Sequence, residues 1–169
     1  MTFLSGAVNC CGAGLVHDPS HPTDHKTMYQ IISSAVVNAP PPSYILKLLH
    51  GNNKPLYIPT NGQRSVTAQI SDTKEDMMEL FQTDVSGQPR EHRKLMGRRN
   101  YVAIVGYDPD AVQAAYSGMQ SPMYPPNNSA TGSFPKLSLA VDFLVQGEGS
   151  FGNVVKFGPV IVPSLELGR

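Results

Sequence analysis

Cysteine and tryptophan are scarce in this sequence, and each scarcity excludes something. There is no tryptophan, and the two cysteines, Cys10 and Cys11, are adjacent. Adjacent cysteines rarely bridge each other, so the sequence predicts no internal disulfide framework. A chain without disulfides fits a reducing compartment, and we therefore expect an intracellular protein.

Charge and long apolar runs are scarce as well. Only 15% of the 169 residues are charged, and thirteen Lys and Arg balance thirteen Asp and Glu. A neutral chain has no overall attraction to nucleic acid or anionic lipid, so any such binding must be local. No apolar run approaches the roughly 18–20 residues that span a bilayer. The sequence therefore predicts a soluble protein without a transmembrane segment.

The motifs that usually mark catalytic or metal sites are missing too. No histidine lies in a G-x-S-x-G, H-E-x-x-H or C-x-x-C context, so we predict no catalytic residue and no cofactor. His17, His21 and His25 recur every four residues, which on a helix would align three imidazoles for zinc. Pro19 and Pro22 exclude that helix, so we predict no metal, with a metal site in a loop as the alternative.

One glycine pattern needs a decision, because Gly147, Gly149 and Gly152 spell the G-x-G-x-x-G of a phosphate-binding loop. A kinase loop requires a following V-A-I-K-like strand, an H-R-D and a D-F-G, and none of them follows. A dinucleotide loop requires a helix after the glycines, whereas residues 154–157 are rich in β-branched side chains. We therefore predict that residues 146–152 form a turn between two antiparallel strands and bind no nucleotide.

Apolar periodicity predicts an α+β fold, mainly antiparallel sheet with two or three short helices. We expect an irregular, Gly- and Pro-rich arm at 1–22 and a single domain over 23–169. The strongest helical pattern is at 73–82, because Asp72 and Glu75 are spaced like a capping box. The predicted helices are 24–38, 73–82 and 109–116, the predicted strands are 44–49, 56–58, 66–70, 101–107, 136–145 and 153–162, and residues 119–133 are predicted to be a loop.

Positive charge is concentrated in one stretch of ten residues, which holds five of the thirteen basic side chains. We predict that this stretch is the main anion-binding surface, for a membrane, a nucleocapsid or another phosphate-bearing partner. The alternatives are a solvated turn, or pairing with a neighbouring subunit or with the acidic segment that bears Glu75, Asp76 and Glu79. The residues of this basic stretch are Arg90, Arg93, Lys94, Arg98 and Arg99.

Residues 41–44 read Pro-Pro-Ser-Tyr, which is a P-P-x-Y motif. Prolines favour the polyproline II conformation that WW domains bind. The motif resembles the late-budding motif of small viral matrix proteins. That resemblance implies that Pro41, Pro42 and Tyr44 contact a host ubiquitin ligase through its WW domain. The alternative is a rigid linker after which Tyr44 begins a strand with its ring buried.

These observations together favour a non-enzymatic structural protein that is viral and matrix-like or capsid-associated. Such a protein would self-associate and would be found in the virion and in the host cytoplasm. The first alternative is an accessory subunit of a large cellular complex. The second is a small enzyme with an unrecognised site, which would show a concave pocket with converging polar groups.

Overall fold

The computed structural model describes residues 1–7, 10–21, 24, 26–34, 36–58, 73–116, 137–149 and 153–164. Its strands form a five-stranded sheet and a three-stranded sheet. The elements are β1 Thr2–Ala7, β2 Gly12–His17, β3 Met28–Ser34, α1 Ser43–Asn52, β4 Leu56–Ile58, β5 Thr73–Met77, β6 Asn100–Tyr107, α2 Pro109–Tyr116, β7 Ser138–Gln146 and β8 Val154–Val162.

The five-stranded sheet has the order β1-β3-β2-β5-β4, so β2 is its central strand. β1 runs parallel to β3, and the other neighbours are antiparallel. Because side chains alternate along a strand, Ala13 and Leu15 share the face that belongs to the core. Gly12 and Gly14 lie at the alternate positions before and after Ala13, on the opposite face of the sheet.

The three-stranded sheet has the order β6-β7-β8 and is antiparallel throughout. In β7, Val141, Phe143 and Val145 alternate with more exposed residues and have no solvent exposure. The β7–β8 pairing runs to Gln146 and Val154, beside the glycine-rich segment. The predicted antiparallel pairing is therefore confirmed. Residues 150–152 of that segment lie outside the described residues. That the segment binds no nucleotide stays a prediction.

The core lies between the two sheets. It joins Ala13 and Ile31 of the larger sheet to Val141 and Phe143 of the smaller one. Phe81, from the segment after β5, is completely buried among them. Its ring meets the rings of Phe143 and Phe157 edge-on, with centroids 6.0 and 5.3 Å away. Such edge-to-face pairs are favourable beyond the area that they bury.

A buried asparagine fixes the two sheets relative to each other. Asn100, at the start of β6, is 2% exposed. Its Oδ1 accepts hydrogen bonds from Ser33 Oγ at 3.0 Å and from Ser34 N–H at 3.1 Å, both in β3. Its Nδ2 donates to the carbonyl of Arg98 at 2.8 Å. A buried amide needs such partners, so these bonds hold β6 beside β3.

The predicted character of the fold, mainly antiparallel sheet, is confirmed. Four strands lie at their predicted positions, with shifts of up to two residues: 56–58, 101–107, 136–145 and 153–162. The helix α2 lies at 109–116 as predicted. The predicted strand 66–70 and the predicted loop 119–133 lie outside the described residues.

Two of the three predicted helices are wrong. Within 24–38, residues 28–34 form β3, where Tyr29 and Ile31 face inwards with the period of two of a strand. The region predicted as the helix 73–82 begins with β5, which pairs with β2 on one side and β4 on the other. Pairing on both edges outweighs the local capping-box signal, because it gives backbone N–H and C=O groups of β5 hydrogen-bond partners on two sides.

The predicted strand 44–49 is also wrong, since these residues lie in α1. α1 has no buried residue, so its apolar side chains do not form a strand-like core face. Leucine is a good helix former, and the prolines before Ser43 lie where a helix tolerates them.

Residues 1–22 contain β1 and β2 rather than an irregular arm. β2 is the central strand of the larger sheet, so the secondary structure predicted for this region is wrong. The division of the chain into an arm and a single domain stays a prediction. In the part of the chain that the structure describes, no helix has the length and apolar character required to cross a membrane.

Candidate functional site

Three distant parts of the chain meet where α1 ends. The Lys94 ammonium donates to the carbonyl of Asn53, which follows α1, at 3.1 Å. It also donates to Asp76 Oδ1 of β5 at 2.7 Å. These bonds use two of the three N–H donors of the ammonium. The Lys94 side chain is only 10% exposed, so it joins α1 to the sheet from a nearly buried position.

Asp76 is the counter-ion of this lysine. Its other oxygen, Oδ2, lies 3.2 Å from the Lys74 ammonium. Burial alone would raise the pKa of Asp76, but the hydrogen bonds from Lys94 and Lys74 outweigh burial and lower that pKa. Asp76 is therefore ionised at neutral pH. One carboxylate is paired with two ammonium groups, so the side chains of Lys74, Asp76 and Lys94 together carry net positive charge.

Two histidines lie beside this lysine. The rings of His50, in the last turn of α1, and His92 are stacked at a tilt of 45° with centroids 4.5 Å apart. Nε2 of His50 is buried and has no hydrogen-bond partner among the described residues. Burial, and then the charges of His92 and Lys94, lower the pKa of His50. At neutral pH, His50 is therefore a neutral imidazole with an unused nitrogen.

Two glycines, Gly12 and Gly97, allow these parts of the chain to approach one another closely. A Cβ on Gly97 would collide with Leu46 of α1. On the other side, a Cβ on Gly12 would lie 2.9 Å from the carbonyl oxygen of Lys94. Glycine at both positions lets the segment 92–97 lie against α1 and β2, which places His92 and Lys94 in the cluster.

A groove of about 580 Å³ opens on the face of the larger sheet that is turned away from the core. Its lining includes Phe3, Met28, Leu56 and Met77, so it is mainly apolar. Asn53 and Asp76 also line it, and these two residues accept the hydrogen bonds of Lys94. The groove therefore borders the two residues that bind Lys94, whereas His50, His92 and Lys94 are not part of its lining.

Metal binding is a separate question. In the described ranges, no three His, Cys, Asp or Glu side chains come together as metal ligands. His17, whose Nδ1 is buried without a described partner, pairs in register with Lys74. Burial, and then the charge of Lys74, lower its pKa, so it stays neutral at neutral pH. What the described residues provide is thus a base, His50, beside a cation, Lys94.

Comparison with known proteins identifies the family. A family model for PhoD related phosphatases matches residues 1–169. The chain belongs to this PhoD-related phosphatase family. No curated protein and no solved structure matches the chain.

The family overturns the resemblance to viral matrix proteins. The match covers all 169 residues, whereas the P-P-x-Y motif covers four of them. The interpretation as a non-enzymatic, virion-associated structural protein is wrong for the same reason. The family is a phosphatase-related one, so the alternative of a small enzyme with an unrecognised site fits better.

The side chains of the basic stretch contact different partners within the protein. Arg90 lies over the ring of Phe81 and donates to the carbonyl of Leu95, while Arg93 lies 3.9 Å from Glu79. Lys94 is paired with Asp76, as described above. Arg93 and Lys94 therefore pair with two members of the acidic segment.

Arg98 and Arg99, at the C-terminal end of the basic stretch, contact other parts of the chain. Arg98 pairs with Glu148 at 3.5 Å, and Arg99 donates to the carbonyl of Val37 at 3.1 Å. Binding of anions by the five side chains together stays a prediction.

The P-P-x-Y residues are at the start of α1. Pro42 is the residue before its first turn, with φ −55° and ψ 147°, and Tyr44 is 68% exposed. The alternative in which Tyr44 begins a strand with a buried ring is therefore wrong. Contact with a WW-domain protein, self-association and membrane contact stay predictions.

Sequence reasoning missed His50, His92 and Asp76 as site residues. His50 follows the apolar run 45–49, whose pattern predicts a strand, and no motif surrounds it. The sequence places Asp76 in an acidic helix with Glu75 and Glu79, whereas in the structure Asp76 binds Lys94, 18 residues further along the chain. The local concentration of basic residues did lead to Lys94.

Proposed function

We propose that the protein hydrolyses phosphate esters. The observation that carries this proposal is the match of the phosphatase family model along residues 1–169. The cluster of His50, His92 and Lys94 supports it, because it combines an unused imidazole nitrogen with positive charge.

His50 is the general base in this proposal. Its neutral Nε2 takes a proton from a water molecule, the water oxygen forms a bond to phosphorus, and the ester P–O bond breaks. The leaving alcohol oxygen then takes a proton from solvent, and the His50 imidazolium releases its proton to solvent. A base of this kind must be largely unprotonated at the working pH, and the lowered pKa of His50 meets that requirement.

Lys94 binds the phosphoryl oxygens. Its third N–H donor is the one that the bonds to Asn53 and Asp76 do not use. Burial is the largest cause of the lowered pKa of His50, and the charges of His92 and Lys94 add to it. The positive charge of Lys94 also attracts a phosphate dianion. A cation fixed by two hydrogen bonds stabilises the charge of the transferring phosphoryl group without having to reorganise.

His92 positions the base. Its ring stacks on His50 with centroids 4.5 Å apart and limits the rotation of the His50 side chain. Because His92 acts through His50 in this proposal, its replacement should reduce turnover less than replacement of His50 itself.

Release of inorganic phosphate from p-nitrophenyl phosphate tests the function. The purified protein should release phosphate faster than buffer does, and His92→Gln should lower kcat. His21→Gln is the matched control, since His21 is 74% exposed at a turn and lies outside the cluster. Folded protein that releases no more phosphate than buffer from this and other phosphate esters would refute the proposal.

A further inference from the structure

β6 is an edge strand of the smaller sheet, because among the described strands it pairs with β7 alone. In an antiparallel pair, every second residue turns its N–H and C=O towards the neighbouring strand. The N–H of Gln146 donates to the carbonyl of Arg99 at 2.9 Å, so the odd-numbered residues of β6 are the ones that bond to β7. Val102, Ile104 and Gly106 therefore point their backbone groups away from the sheet, where no described residue binds them.

The two edges of this sheet differ in how they are protected. On the opposite edge, β8 contains Lys156 and Pro159, and its pairing with β7 has a register shift between Val141 and Phe143. Charges, prolines and bulges are the features that keep edge strands from pairing with other chains. β6 has neither a charged residue nor a proline over Asn100–Tyr107. Its edge is therefore open to the addition of another strand.

The outer face of β6 is apolar and exposed. Tyr101 pairs in register with Leu144, which lies between the buried Phe143 and Val145 on the opposite face of β7. Ala103, Val105 and Tyr107 share this face with Tyr101, because side chains alternate along a strand. Tyr101 is 49% exposed and Val105 is 61% exposed. A strand added beside β6 would cover part of this apolar surface.

The sequence of β6 matches its own reverse. Residues 101–107 read Tyr-Val-Ala-Ile-Val-Gly-Tyr, with Ile104 at the centre and a tyrosine at each end. Two antiparallel copies centred on Ile104 therefore bring Tyr101 of one copy opposite Tyr107 of the other, and Ala103 opposite Val105. Cross-strand aromatic pairs of this kind stabilise a sheet. The partner that fits this edge is thus a second copy of the same strand.

Charge at the two ends of β6 favours the same arrangement. Arg99 directly precedes the strand, and Asp108 directly follows it. Antiparallel pairing brings Arg99 of each copy to the end of the strand where Asp108 of the other copy lies, so opposite charges are close at both ends. Arg99 uses its Nε–H for the carbonyl of Val37, which leaves the other guanidinium donors for such a contact.

We propose that the protein forms a two-fold symmetric dimer through β6, in which the two smaller sheets join into one continuous antiparallel sheet. Ile104 pairs with Ile104 of the second copy, and Val102 of each copy pairs with Gly106 of the other. The outward N–H and C=O groups of these three residues thereby gain partners. The dimer is independent of the proposed function, because it uses no residue of the cluster of His50, His92 and Lys94.

Amide hydrogen exchange, followed by NMR at low and high protein concentration, tests the pairing residue by residue. The amides of Tyr101, Ala103 and Val105 bond to β7 and should be protected at every concentration. The amides of Val102, Ile104 and Gly106 should become protected only at concentrations where sedimentation shows a dimer. A protein that stays monomeric at every concentration, or a dimer in which these three amides remain unprotected, would overturn the proposal.

A lysine on the strand provides the second test. Val105→Lys should raise the dissociation constant of the dimer about tenfold, because the two lysines lie diagonally across the symmetry axis, roughly 7–8 Å apart. Val105 is largely exposed, so the variant should keep the melting temperature of the parent. Ile161→Lys is the matched control, since Ile161 is 45% exposed on the outer face of β8.

Ile161→Lys should leave the dissociation constant unchanged. A folded Val105→Lys protein that dimerises as tightly as the parent would show that β6 is not the interface. An equal weakening by both lysines would also contradict pairing through β6, because it would reflect the added charge rather than its position.

Discussion

Replacing Phe81 with alanine is expected to lower the free energy of unfolding by about 3–5 kcal/mol. Phe81 is completely buried between the two sheets, and its ring meets both Phe143 and Phe157. Urea unfolding at constant pH measures the loss.

Phe3→Ala is the matched control for that experiment. Phe3 is 47% exposed on β1, at the edge of the larger sheet, so its truncation leaves little buried cavity. Its loss of stability should be clearly smaller than that of Phe81→Ala. Equal losses in the two variants would mean that Phe81 does not hold the sheets together.

Replacing His50 with glutamine is expected to lower kcat/KM for phosphate ester hydrolysis by about 100-fold. General bases typically contribute factors of this size, and glutamine cannot accept a proton from water. The buried, unpartnered Nε2 of His50 is the group that is lost. Initial rates of phosphate release from p-nitrophenyl phosphate measure the effect.

His21→Gln and thermal melting control this second experiment. His21→Gln should keep the parent kcat/KM, because its ring pairs only with Asp18 at an exposed turn. His50→Gln should keep a cooperative unfolding transition, since α1 contributes no buried residue. A folded His50→Gln protein with the parent kcat/KM would show that His50 is not the base.

The sequence predicts the smaller sheet better than the larger one, and for a physical reason. In β7, Val141, Phe143 and Val145 alternate cleanly, and the glycines after Gln146 indicate a turn, so pattern and turn agree. In β3 and β5, the apolar residues also fit a helical period, and pairing with neighbours distant in sequence decides the outcome. A period read from a single sequence does not include that pairing.

The candidate site is still less visible in the sequence, because its members are far apart in the chain. His50 lies 42 residues before His92, and Lys94 reaches back 41 residues to Asn53 and 18 residues to Asp76. None of these pairs forms a local motif. A single sequence reveals the density of basic residues around Lys94, but only the fold brings His50 and Asp76 to it.

The pH dependence of kcat/KM, compared between the parent protein and His50→Gln, tests the central claim most directly. Dividing the parent profile by the His50→Gln profile removes the titration of the substrate, whose second pKa is about 6. Because the pKa of His50 is lowered and its neutral form is the active base, the ratio should rise with pH through a midpoint below 6.5, the ordinary value of histidine, and then level off. A ratio that does not change with pH would contradict His50 as the base, and a parent protein without activity at any pH would contradict the phosphatase function.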